Sequence, residues 1–115
     1  MKKFKIGFIG IGLMGFPMAK NLLKSKYEVK VFNRTKNKAI RLKKFGAKVC
    51  NSLKEVVSDR DLIITMLSDD KAIKKIYFNS EFLKNLKVGS TVIDMSSANP
   101  KTAINLSKLL KKKKN

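Results

Sequence analysis

The stretch GFIGIGLMGFPMAKNL, residues 7–22, decides how this chain folds. Residues 3–10 alternate and then turn apolar, as a buried strand does. Met14, Met18 and Leu22, with Leu13 and Leu23 alongside, recur at helical spacing. Between strand and helix lies Gly10-Ile11-Gly12-Leu13-Met14-Gly15, a G-x-G-x-x-G. In that setting each glycine has a use. Gly10 allows a tight turn, Gly12 lets the backbone approach a pyrophosphate, and Gly15 lets the helix pack close to the strand. The phosphates would rest on the helix N-terminus, where unpaired N–H groups and aligned peptide dipoles favour anions. The plainer reading is a tight strand-to-helix turn and nothing more. A lone motif is weak, but this one follows a strand, opens a helix and sits in a unit that ends near Phe32, the context dinucleotide binding requires. Pro17 falls near the first helical turn, where its missing N–H costs least.

Outward from this unit the same alternation continues. Residues 28–32 (EVKVF) read as a short strand and residues 36–46 as a helix stopped by Gly46. Residues 47–50 give a third strand. Ser52 with Glu55 three residues later is a capping box. Residues 61–67 (DLIITML) are continuously apolar after Asp61, as in a strand buried on both faces. Residues 69–78 read as a helix, 87–95 as a turn at Gly89 and a fifth strand. Asn99 and Pro100 would cap and open a last helix. Strands alternating with helices over short connections predict a parallel sheet covered on both faces, a Rossmann-type doubly wound α/β fold of about five strands.

The end of the second strand bears on which dinucleotide is held. An NAD site usually places an acid there for the ribose 2′-hydroxyl. This chain has Asn33-Arg34-Thr35. A carboxylate would repel a 2′-phosphate, whereas a guanidinium can pair with it and stack on adenine. Asn33 and Thr35 can add neutral hydrogen bonds, and Lys36 and Lys38 raise the local potential. These residues favour NADP(H) over NAD(H); the alternative is a polar turn and helix cap.

Composition narrows the class. The chain has 27 Lys+Arg against 8 Asp+Glu, a formal charge of +19. Such a field attracts nucleic acid or anionic membrane without specificity, and equally a polyphosphate cofactor. Only Arg34, Arg41 and Arg60 are arginines and there is no Trp, so the Arg forks and interleaved aromatics of sequence-reading modules are lacking. The excess reads as a solvated lysine surface, with no specific nucleic-acid partner. No apolar run reaches the roughly 18–20 residues that span a bilayer. Four glycines interrupt the basic-then-apolar start, which lacks a small-residue cleavage pattern of a signal peptide. The single Cys50 cannot form an internal disulfide, in keeping with a reducing, cytoplasmic location. No metal site is expected.

With GFIGIGLMGFPMAKNL in hand, the chain resembles the 3-hydroxyisobutyrate dehydrogenase family of β-hydroxyacid dehydrogenases. Their G-x-G-x-M-G-x-P-M-A-x-N-L is matched at every fixed position from Gly10 to Leu22. Residues 64–70 (ITMLSDD) are similar to the segment beside the nicotinamide ribose. Residues 92–100 (VIDMSSANP) are similar to the D-x-S-T-x-x-P substrate loop, with Ser97 in place of Thr. The NRT at 33–35 is similar to the NADPH-using branch of glyoxylate and succinic-semialdehyde reductases. The resemblance implies that Gly10, Gly12, Leu13, Met14 and Gly15 meet the pyrophosphate and Asn33, Arg34 and Thr35 the adenosine side. It places Leu67 and Ser68 at the nicotinamide end, and Ser96 and Ser97 on substrate or nicotinamide. Blander roles remain open: Ser68 as a helix cap, Ser96 as a turn residue, Leu67, Met14 and Met18 as core.

The resemblance also implies hydride transfer between NADP(H) and a small hydroxyacid or semialdehyde, with a lysine in a motif like G-x-x-G-x-G-x-x-x-K as general acid/base. No lysine of this sequence sits in such a motif, and there is no His to replace it. No catalytic residue is therefore nominated. Residues 1–110 are expected to form the NAD(P)-binding domain, and 111–115 a lysine-rich tail at a truncation point, without the helical domain through which the family assembles. The 115 residues alone are then expected to be inactive. The alternatives are a non-catalytic NADP(H)-binding module and, after it, a basic accessory protein that binds nucleic acid.

Overall fold

The computed structural model describes residues 4–12, 14–67 and 70–95. Five strands form one wholly parallel sheet: β1 (Lys5–Ile9), β2 (Glu28–Phe32), β3 (Lys48–Val49), β4 (Leu62–Thr65) and β5 (Thr91–Asp94). Their spatial order is β3-β2-β1-β4-β5. Two βα crossovers run one way from β1 and the later ones run the other way, which is the doubly wound arrangement expected.

Side-chain alternation along β1 explains why both faces are covered. Ile6 and Phe8 enter one core with Val29, Val31, Ile64, Ala19 and Leu23, on the side of α1 (Gly15–Lys24) and α2 (Lys36–Ile40). Ile9 enters the other core with Ile63, Val56, Val57, Ile73 and Phe82. That second core lies under α3 (Leu53–Val57), α4 (Asp70–Tyr77) and α5 (Ser80–Asn85). Each buried aliphatic or aromatic side chain contributes about 1.5–3 kcal/mol, so the two faces supply comparable stabilisation. Gly7 also faces α3. A Cβ there would overlap the Val56 carbonyl oxygen, so this glycine sets how closely α3 lies on the sheet.

Several boundaries differ from the sequence reading. The helix expected over 36–46 is two pieces, α2 and a 3-10 turn at Lys43–Phe45. Gly46, with φ 100°, closes that turn as a left-handed cap, as predicted for its position. Residues 69–78 give α4, but a further helix, α5, follows before β5. Asn79 starts it by accepting a hydrogen bond from the Glu81 amide at 2.8 Å. So the strands are not each followed by one helix. The third strand shortens to two residues, because β3 pairs only with β2 at the sheet's edge. The Ser52 cap is present: its Oγ accepts from the Glu55 amide at 3.2 Å. The last helix, with Asn99 and Pro100, and the tail at 111–115 lie outside the described residues.

Candidate functional site

The strand ladders carry past the strand ends and bring four segments to one edge of the sheet. The Gly10 amide donates to Phe32 O at 3.0 Å, Met66 N to Ile9 O at 2.9 Å, and Met95 N to Thr65 O at 2.9 Å. The glycine turn, the Asn33–Thr35 corner, Leu67 and Met95 therefore share the carboxyl edge of β1, β2, β4 and β5. In an open α/β sheet this edge, where the chain order reverses beside β1, is where ligands bind.

The three glycines have different jobs. Gly10 has φ 99°, and an added Cβ would overlap the Met66 carbonyl, so the turn can be this tight only with glycine. A Cβ at Gly15 would overlap the Gly10 carbonyl oxygen and press on Phe8, so Gly15 seats α1 against β1. Gly12 is different: a Cβ there would meet nothing within 4 Å. Its amide makes no hydrogen bond to a described residue. Missing bulk that no neighbour requires is what a phosphate cradle needs, and the turn opens onto the N-terminal end of a ten-residue helix. Met14 occupies the helix N-cap position and is 65% exposed, so it is not core; Met18 packs against the α1-side core.

Asn33 acts first on the protein itself. Its Oδ1 accepts from the Ile11 amide at 2.8 Å, and its Nδ2 donates to Thr35 O at 2.8 Å. The carboxamide ties the glycine turn to the corner after β2. Thr35 holds the N-cap position of α2 without a side-chain capping bond, and both Arg34 and Thr35 are exposed. Arg34 makes no ion pair with a described acid. Leu67 packs against the α3-side core and also approaches the turn: a Cβ on Gly10 would lie 3.2 Å from its Cδ2. Leu13, Ser68, Ser96 and Ser97 lie outside the described residues.

Two features escaped the sequence reading. Beside Gly12 is a depression of about 260 Å³ lined by Ile11, Phe16, Pro17, Lys38 and Arg41. Lys38 and Arg41 are three apart on α2 and its C-cap, a spacing that places them on one face and could have been read. The other is a polar cluster under the carboxyl edge. Thr65 Oγ1 lies 2.5 Å from Tyr77 OH and 3.0 Å from Asp94 Oδ1. Burial pushes the Tyr77 hydroxyl well above its usual range, against the opposing hydrogen bond from Thr65. The cluster joins β4, β5 and α4 where the segment after β5 begins. Its residues are far apart in sequence, so no spacing announces it.

The ion pairs among the described residues lie at one edge of the sheet. At the amino edge Arg60 pairs with Glu28 at 2.8 Å, Lys5 with Asp59 at 3.1 Å and Lys87 with Asp61 at 3.0 Å. Hydrogen bonding by Arg60 lowers the Glu28 pKa; bonding by Lys5 does so for Asp59, and by the Lys5 amide and Lys87 for Asp61. Among the described residues no group of three or more His, Cys, Asp or Glu could hold a metal ion. No helix among them is long and apolar enough to cross a membrane.

Residues 5–115 match the family described as the NAD binding domain of 6-phosphogluconate dehydrogenase. The chain is 37% identical over 111 residues to mouse (Mus musculus) mitochondrial 3-hydroxyisobutyrate dehydrogenase, covering 96% of this chain and 33% of the relative. It is 36% identical over 107 residues to glyoxylate/succinic semialdehyde reductase 1 of Arabidopsis thaliana, covering 92% and 37%. A solved structure of Mycobacterium tuberculosis 3-hydroxyisobutyrate dehydrogenase with L-serine superposes with a TM-score of 0.91 at 27% identity, over 97% of this chain and 38% of that one. The chain thus spans well under half the length of each.

Proposed function

The chain belongs to the family of the NAD-binding domain of 6-phosphogluconate dehydrogenase, and from that premise we propose that it holds NADP(H) in preference to NAD(H). The observation that carries the binding is the turn from Gly10 to Gly15, fixed by Phe32 and Asn33 and left open at Gly12. The preference rests on the corner after β2. No carboxylate stands there; Arg34 is exposed, and Lys36 and Lys38 follow. A guanidinium bonded to a 2′-phosphate contributes about 1.5–3 kcal/mol, roughly ten- to a hundredfold in affinity. Titrating NADPH and NADH into the chain and into Arg34→Ala tests this. NADPH affinity should fall by at least about tenfold while NADH affinity hardly moves. An equal fall for both, or tighter NADH binding by the unaltered chain, would refute it.

The bound nicotinamide supplies a hydride donor or acceptor. In a protein of the relatives' full length, this domain would present it to a small β-hydroxyacid or semialdehyde in the cytoplasm. Leu67 and Ser68 would line the nicotinamide end, and Ser96 and Ser97 would offer hydroxyls to the substrate. The general acid/base lysine that the resemblance implies has no counterpart in these 115 residues. The isolated chain should bind cofactor and give no NADPH oxidation with glyoxylate or succinic semialdehyde. Turnover by the purified chain would overturn that expectation. Assembly into oligomers would depend on the relatives' helical domain.

A further inference from the structure

We propose that the α1–α2 face is a second ligand surface, which binds single-stranded nucleic acid without sequence preference. This goes beyond the dinucleotide reading and does not depend on it. Three observations converge on that face. The first is charge. α1 and residues 36–45 carry seven lysines and arginines and no acid, and the only acid through residue 54 is Glu28. Glu28 lies at the amino edge and is engaged by Arg60. Lys20, Arg41, Lys43 and Lys44 on the α1–α2 face pair with no described acid.

The second is shape. A groove of about 420 Å³ runs between α1 and the 3-10 turn, walled by Phe16, Lys20, Arg41, Lys44 and Phe45. It continues into the depression beside Gly12, because Phe16 and Arg41 line both. The third is the aromatic walls. Lys20 Nζ stands 4.8 Å and Lys44 Nζ 5.3 Å from the centre of the Phe45 ring, and Arg41 stands 5.2 Å from that of Phe16. A ring face that holds a cation also stacks a base, and the displaced ammonium then reaches the adjoining phosphate. The groove has no carboxylate or amide side chain in its walls to read base edges. Recognition is therefore by stacking and charge, which every base and phosphate satisfies. A lipid surface is flat and rewards protruding apolar groups, whereas these two rings are half-buried in a recess.

The test is fluorescence anisotropy with a labelled oligouridine of about 12 nucleotides, within the length that one such surface covers. At about 0.1 M salt, charges beyond about 10 Å are screened, so position matters as well as total charge. Lys43→Gln/Lys44→Gln should weaken binding at least about fivefold. Lys74→Gln/Lys75→Gln, an equal charge change on exposed α4 positions of the opposite face, should weaken it less than about twofold. Phe45→Leu should cost at least about fivefold and Phe45→Tyr, which keeps the ring, very little. Equal losses from the two lysine pairs would overturn the proposal. So would full binding by a folded Phe45→Leu, or binding to phosphatidylserine vesicles without binding to the oligonucleotide. Should Phe45→Leu fail to fold, the lysine pairs decide alone.

Discussion

A methyl group at Gly12 and one at Gly15 should differ in what they do to stability. Gly15→Ala drives a Cβ into the Gly10 carbonyl, so α1 must move off β1. The expected cost is about 1–3 kcal/mol of stability, as for other overpacked sites, with cofactor binding lost as the turn shifts. Gly12→Ala meets nothing within 4 Å and should leave stability within about 0.5 kcal/mol. On the proposed reading its methyl would stand in the way of a pyrophosphate, so dinucleotide affinity should still fall by at least about tenfold. Thermal melts and cofactor titrations on the two variants check both halves. The sequence pattern assigned these roles correctly at Gly10 and Gly15, because turn and packing demands are local. The family resemblance implies only that Asn33 meets the adenosine side. The structure shows that Oδ1 and Nδ2 already hold Ile11 and Thr35 in place, a tie between residues 22 apart that no spacing rule reveals.

At the scale of elements, legibility followed hydrophobic pattern and capping. β2 lies where its alternation put it, and the Ser52–Glu55 pair marked the start of α3. Ser52→Ala should therefore destabilise the fold by about 1 kcal/mol, read as a lower urea midpoint at unchanged slope. A loss below about 0.3 kcal/mol would mean that the cap is replaced by water. α5 was missed because its six residues, SEFLKN, show a single buried anchor, Phe82, too few for a period. The edge-to-face contact of that ring with Tyr77, at 5.0 Å, fixes the helix, and such a contact is tertiary. The break of α2 before the 3-10 turn is equally tertiary: Leu42 is fully buried in the α1-side core, and Gly46 ends the turn.

The whole molecule carries +19 in 115 residues, and three of its described acids, Glu28, Asp59 and Asp61, are paired with cations at the amino edge of the sheet. Folding lowers the pKa values of Glu28, Asp59 and Asp61. Their contribution is in place above the usual carboxylate range, about pH 4, and is lost as pH falls through the lowered values. Tyr77 has the opposite sign. Its folded pKa is raised by burial, so stability should fall as pH rises beyond about 10, where the unfolded tyrosine ionises. Burial raises the Cys50 thiol pKa as well, so urea unfolding across pH should trace a plateau that ends at about pH 9, where the unfolded thiol begins to ionise. Added salt should raise the melting temperature, since self-repulsion at this net charge outweighs a few exposed ion pairs. The fold class and the glycine turn were legible because they are set by period and by backbone geometry. The Thr65–Tyr77–Asp94 cluster and the α1–α2 groove arise only when distant segments meet. Whether the Gly10–Gly15 turn is a dinucleotide cradle is decided by a paired NADPH titration of the chain and of Gly12→Ala, each with a melt. A cradle there gives saturable one-to-one binding by the chain, at least about tenfold weaker in Gly12→Ala, at matching melting temperatures. Equal affinity in the two proteins, or no saturable binding in either, would contradict it.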